Sequence, residues 1–267
     1  MCQLLGMNCN VPTDICFSLA GFQARGGLTD VHRDGWGIAF FEGRGVRKFL
    51  DHAPSAHSPI AAFVREYPIK STNVIAHIRR ATQGKVSLEN THPFQRELWG
   101  YYWIFAHNGN VPNFHPVLEG VTKPVGETDS ERIFCWFIQE MLREHGETAP
   151  TTEKLLLTVQ RLAIEVGKKG EFNFLMSNGQ VLFAHCSTQL SYISRKAPFK
   201  TARLRDKEIE VDFSEVTNST DRVAIIATTP LTENEEWTQM DPGTLCLFFD
   251  GELISKMNTV PGVRTRF

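Results

Sequence analysis

Apolar positions along this chain fall into short dense runs, and the spacing inside the runs switches between two periods. CQLLGMNC at 2–9, GWGIAFFEGRGVRKFL at 35–50, NVIAHIRRAT at 73–82 and GYYWIFAHNG at 100–109 are rich in branched and aromatic residues. They read as strands, and the EGRG turn inside the second makes it a hairpin. A helix is expected over 13–23, opened by the turn VPTD and stopped near Gly26-Gly27, and another over SPIAAFVREYP, closed by Pro68. The clearest helical signal is ETDSERIFCWFIQEMLREHG, where Thr128 and Glu131 form a capping box ahead of Ile133, Trp136, Phe137 and Met141 at helical spacing. TTEKLLLTVQRLAIEVGKKG follows as a second amphipathic helix. The chain then returns to strands in EFNFLMSNGQVLFAHC, KEIEVDF, RVAIIATTPL and GTLCLFFDGELIS, with hairpin turns at SNGQ and FDGE.

This order, strands then two helices then strands, predicts an α+β layered domain and not a βαβ repeat. No repeat, low-complexity tract or linker divides the 267 residues, so one domain over 2–267 is expected. A formal charge of −2 without a Lys/Arg-rich run removes the electrostatic basis for binding nucleic acid or an anionic membrane. There is no apolar stretch of membrane-spanning length and no signal-peptide pattern, which points to a cytoplasmic protein. The six cysteines are scattered without CxxC pairs or zinc spacing, so neither a disulfide framework nor a metal site is expected.

Cys2 differs from the other five by its position. Removal of Met1 would leave a thiol and a free α-amine on one residue, with the amine (pKa about 7.7–8.0) matched to accept the thiol proton near neutrality. Around it stand AHIRRATQG, NTHPF, FAHNGN and GETDSE, in that order. The ordered set from Cys2 to about residue 185 closely resembles the class II glutamine amidotransferase domain, a family of N-terminal-nucleophile hydrolases. HRDGWGIAF and TTPLTENEEW extend the similarity to its small stand-alone members over nearly the whole chain. The resemblance implies a four-layer αββα sandwich, Met1 removed on maturation, and no cofactor.

It also implies residue roles that make chemical sense. Arg79 would hold the α-carboxylate of a γ-glutamyl substrate through its paired guanidinium donors, with a hydroxyl contact from Thr82; the competing reading is a surface arginine at a strand end. Asp129 would pair with the α-ammonium, although a carboxylate in a first helical turn also has an electrostatic reason of its own. Asn108 and Gly109 would donate to the oxyanion, although Asn-Gly taken alone is a hairpin turn. Trp36, flanked by glycines in HRDGWG, is assigned to substrate binding, with core packing as the alternative. His77, His92 and His107 read as structural, and NTHPF as a loop beside the pocket. Arg80 and Gln83 depart from the aromatic residue and histidine of the family's synthase-type domains, such as the glutaminase half of glucosamine-6-phosphate synthase.

The function expected from these residues is hydrolysis of the glutamine γ-amide through a Cys2 thioester, giving glutamate and ammonia. The ammonia would pass to a separate synthetase subunit, because the roughly 80 residues beyond the matched region are too few to form one. A γ-glutamyl amidase acting on a modified γ-glutamyl compound is the alternative enzyme. A non-catalytic glutamine-sensing module is the alternative outside catalysis, but the chain retains every catalytic group such a module would lose.

Overall fold

The computed structural model describes residues 2–82 and 84–260, so Met1, Gln83 and 261–267 lie outside the described residues. The first half of the chain forms β1 (Gln3–Thr13), α1 (Cys16–Ala24), β2 (Trp36–Glu42), β3 (Gly45–Asp51), α2 (Pro59–Glu66), β4 (Ser71–Ile78), β5 (Phe94–Leu98) and β6 (Tyr101–Asn110). Then come α3 (Asp129–His145), α4 (Thr152–Gly167), β7 (Glu171–Ser177), β8 (Leu182–Cys186), β9 (Ser191–Lys196), β10 (Thr201–Arg203) and β11 (Glu210–Asp212). The last strands are β12 (Arg222–Ala227), β13 (Thr238–Gln239), β14 (Thr244–Phe249) and β15 (Glu252–Asn258).

Two antiparallel sheets carry the architecture. One has seven strands in the order β13-β9-β12-β1-β4-β2-β3, and the other has six in the order β15-β14-β8-β7-β6-β5, with β10 and β11 forming a separate ribbon. Side-chain parity assigns the layers. Leu5 and Met7 of β1 point to a core shared with Leu19 and Phe22 of α1 and with Ala61 and Val64 of α2, whereas Leu4 points into the core between the sheets. In β6, Trp103 and Phe105 pack under α3 and α4, while Ile104 and Ala106 face the other sheet. The result is the expected αββα sandwich. Both faces of each central strand are covered, so WGIAFFE and NVIAHI lack the polar alternation of a half-solvated strand.

Where the sheets meet, space is short. A Cβ at Gly6 would lie 3.0 Å from Leu175 Cδ1 and 3.2 Å from Leu182 Cδ2. A larger residue at this position would push the sheets apart.

The elements depart from the sequence reading in a few places, each with a local cause. β1 does not stop at residue 9 but runs on to Thr13, because the ladder with β4 tolerates an irregularity between Asn8 and Thr13. Pro12 sits within that irregularity, where its missing N–H breaks no regular pairing. α1 therefore starts at Cys16, whose N–H donates to the Asp14 carboxylate (3.1 Å). β9 has no counterpart in the sequence reading; it pairs with β12 near the sheet edge and has few buried side chains, so its hydrophobic signal is weak. NTHPF leads directly into β5, a strand the hydrophobic pattern also leaves out.

The capping box of α3 forms on one side only. Thr128 Oγ1 accepts the Glu131 N–H (3.2 Å), but the Glu131 carboxylate turns to the N–H groups of Val125 (3.1 Å) and Gly126 (2.7 Å) and to Arg96 Nη2 (2.6 Å). Glu131 thus ties the loop ahead of α3 to β5, at 2% exposure. Replacing one partner strands the other charge and two amides, so Glu131→Ala is expected to lower unfolding free energy by about 3 kcal/mol, read from urea denaturation.

Candidate active site

The β1–β4 register pairs Gln3 with Ile78, which brings Cys2, one residue beyond, to the end of the sheet beside Arg79 and Arg80. The Arg80 N–H donates to Cys2 Sγ (3.2 Å), and the thiol donates to the Arg80 carbonyl (3.4 Å). Burial pushes the Cys2 thiol up from its ordinary value, while the Arg80 backbone and the Arg79 charge pull it back. The neighbouring chain is equally constrained. The Arg79 N–H donates to the Gly35 carbonyl (2.8 Å), the Asp34 N–H donates to the Arg79 carbonyl (3.1 Å), and the Asp34 carboxylate accepts the Ala81 N–H (2.8 Å). The buried Arg79 guanidinium donates to the carbonyls of Lys85 (2.8 Å) and Gly84 (3.2 Å).

Asn108 and Gly109 do not form a turn: both lie inside β6, near its end. Parity points the Asn108 side chain into the inter-sheet space, where its Nδ2 donates to Thr228 Oγ1 (3.4 Å). Thr228 is locked in turn onto β1, its Oγ1 accepting the Leu4 N–H (2.9 Å) and its own N–H donating to the Leu4 carbonyl (3.1 Å). The second sheet is thereby fastened two residues from the thiol.

Gly109 stands opposite Phe172 of β7. Phe172 uses its N–H on Ser187 Oγ (2.7 Å) and its carbonyl on His185 Nδ1 (2.5 Å), so the pair is of the non-hydrogen-bonded kind. The Gly109 N–H therefore points from the opposite edge of β6, beyond the Phe94–Phe105 pair that begins β5. Only glycine fits here, because a Cβ would lie 1.9 Å from the Glu171 carbonyl oxygen.

Asp129 is the first residue of α3, and its Oδ2 accepts the Val111 N–H just past β6 (2.8 Å) while Oδ1 accepts from Ser130 N–H (2.7 Å) and Oγ (3.2 Å). Thr82 is exposed on the loop after β4, next to Gln83, which lies outside the described residues. Trp36, assigned from the sequence to substrate binding with core packing as the alternative, is 2% exposed, and the parity of β2 turns it with Ile38 and Phe40 into the core beneath α1 and α2. Among the described residues no group of His, Cys, Asp and Glu is arranged to hold a metal.

A family model described as class II glutamine amidotransferases matches residues 1–265. The chain belongs to this family. Over 261 residues it is 51% identical to the "Putative glutamine amidotransferase" of Haemophilus influenzae, covering 98% of this chain and 88% of the relative. Over 254 residues it is 50% identical to the "Putative glutamine amidotransferase YafJ" of Escherichia coli, covering 95% and 100%. The crystal structure of a predicted glutamine amidotransferase from Pseudomonas aeruginosa matches with a TM-score of 0.76 and 47% identity, over 95% of this chain and 99% of that one. Glutamine phosphoribosylpyrophosphate amidotransferase from B. subtilis shares the fold alone, at 14% identity and a TM-score of 0.51 over 98% of this chain and 50% of that one. The fold is that of the N-terminal-nucleophile hydrolases.

In this class II amidotransferase chain, sequence reasoning missed Thr228. The motif TTPLTENEEW marked the segment but gave no role to a threonine at a strand end, and only the pairing of β12 with β1 supplies one. Thr228→Val keeps the shape and leaves the Leu4 N–H without its acceptor. Urea denaturation should show a loss of about 1–3 kcal/mol, with Thr228→Ser close to the native protein.

The histidines form a second buried feature. His77 and His92 lie against each other with ring centroids 4.2 Å apart and planes tilted by 35°, and His107 Nδ1 lies 2.8 Å from Ser130 Oγ. Burial holds His77 down to about 3 and His185 to about 4, and lowers His92 and His107 from the ordinary 6.5. These groups are neutral when folded and take up protons when unfolded, so their contribution is fully present above about pH 6.5 and lost as pH falls toward the folded values. Each such histidine adds a slope of about 1.4 kcal/mol per pH unit within its window. The urea midpoint is therefore expected to be flat from pH 7 to 8 and to fall between pH 6.5 and 5, before most carboxylates titrate.

Proposed function

We propose that the chain hydrolyses the γ-amide of glutamine through a thioester on Cys2. The observation that supports this most directly is the three-strand junction in which Thr228 ties Asn108 to β1 two residues from the Cys2 thiol. In the mature chain, with Met1 removed, the α-amine of Cys2 accepts the thiol proton. That base is needed because burial disfavours the thiolate. The thiolate attacks the amide carbon, and the oxyanion is met by the second N–H of the Asn108 amide and by the Gly109 N–H. Collapse expels ammonia with the proton returned from the amine, and water, activated by the same amine, releases glutamate.

Arg79, held by two loop carbonyls, faces the substrate α-carboxylate, with Thr82 on the same loop as an added hydroxyl contact. Asp129 has a remaining acceptor site for the α-ammonium beyond the three donors it already binds. The ammonia is passed to a separate acceptor protein. A second reading, cleavage of a larger γ-glutamyl amide, draws on Arg80, whose side chain is exposed on the segment that holds Cys2 and stands where synthase-type domains carry an aromatic residue.

Purified protein of verified intact mass, offered glutamine and γ-glutamyl amides separately, distinguishes the two by glutamate release. Asn108→Ala should lower kcat by about 10²–10³ with little change in KM, and Cys2→Ala should reduce activity to background. Full activity with Met1 retained, or undiminished activity of Cys2→Ala, overturns the mechanism.

A further inference from the structure

β1 and β6 each have one end at the candidate active site, and their other ends converge on a cleft of about 390 Å³. Cys9 of β1 lies in its wall, seven residues from Cys2, which at about 3.3 Å per residue puts the cleft about 23 Å from the thiol. The β5–β6 turn supplies Trp99 and the start of β6 supplies Tyr101 and Trp103, while the end of β14 supplies Phe249 and the β14–β15 turn supplies Asp250. Trp99 and Trp103 meet edge to face with centroids 6.3 Å apart.

The charge in this cleft is one-sided. Among the described residues that line it there is no Lys, Arg or His, and Asp250 is the only carboxylate. That carboxylate takes part in no hydrogen bond or ion pair among the described residues; Arg222 Nε donates to the Asp250 carbonyl (3.2 Å) and not to the carboxylate. Tyr101 already carries a cation on its ring, since the Arg44 guanidinium, which is outside the lining, lies 5.5 Å from the ring centroid.

We infer that this cleft binds an organic cation, a primary to quaternary ammonium compound small enough for the cavity, with its charge against Asp250 and its carbon skeleton against the rings of Trp99, Tyr101 and Phe249. An aromatic wall attracts a cation through the ring quadrupole and an aliphatic body through burial, and an unpaired carboxylate selects the sign. A neutral apolar ligand would leave Asp250 unpaired at the cleft wall, and an anion would meet its repulsion. The site is separate from the Cys2 chemistry and does not rest on it.

The test uses choline and its uncharged isostere 3,3-dimethyl-1-butanol, titrated into the full chain at constant ionic strength, with tryptophan emission and calorimetry as readouts. Choline should bind saturably and at least about tenfold more tightly than the alcohol. Asp250 has φ +50° in a two-residue turn with Gly251, a conformation asparagine adopts readily, so Asp250→Asn keeps the turn and removes the charge. That variant should bind choline at least about tenfold more weakly. Phe249→Ala, at an exposed position, should also weaken binding and serves as the second variant if the first fails to fold. No saturable choline binding, equal affinity for choline and the alcohol, or unchanged affinity in Asp250→Asn overturns the assignment.

Discussion

The site depends on β1 being hydrogen-bonded along both edges, by β4 on one side and β12 on the other. A residue next to a chain terminus is ordinarily poorly ordered, yet Cys2 is held by the backbone of Arg80, and Leu4 by Thr228. Cys2 is held in place because it extends from a central strand. Arg79, Arg80 and Thr228 take their positions from that strand. β4 delivers Arg79 and Arg80 at its end, β12 delivers Thr228, and Thr228 in turn reaches across the sheet interface to Asn108. The same strand also sets the separation of the sheets, through the close approach at Gly6.

The polar residues between and beside the layers follow from this arrangement. A candidate active site built at the end of buried strands brings amides and imidazoles into a dry interior, where each must find a partner or remain neutral. Asn173 illustrates the first solution: its Nδ2 donates to the Asn108 carbonyl (2.9 Å) and to Thr188 Oγ1 (2.8 Å), while its Oδ1 accepts the N–H of Ser187 (2.9 Å). The buried histidines illustrate the second. Their low proton affinity is a consequence of packing.

Much of the scaffold is legible in the chain alone. The hairpins at EGRG, SNGQ and FDGE, the helices over the ETDSE and TTEKL segments, and the α+β layered class all follow from local turn chemistry and periodicity, which act over a few residues. Trp36 and the strand β9 are not legible in that way. Whether a tryptophan between two glycines faces a ligand or a core depends on which side of β2 the helices α1 and α2 cover, a fact about residues far away in the chain. Asn108-Gly109 shows the same limit: its local preference is a turn, and the ladder with β7 overrides it.

The sequence by itself determined the class of layered fold, the family, and the identity of the candidate reactive group, because a cysteine at position 2 and an ordered series of short motifs are properties of the chain. Only the tertiary structure decided the partners. Thr228 is bonded to Leu4, 224 residues away, and to Asn108, 120 residues away. The cleft at the far end gathers residues from Cys9 to Asp250. Contacts of such separation depend on strand order, register and side-chain parity, and these are set by how the two sheets bury their faces together, not by any local pattern of residues.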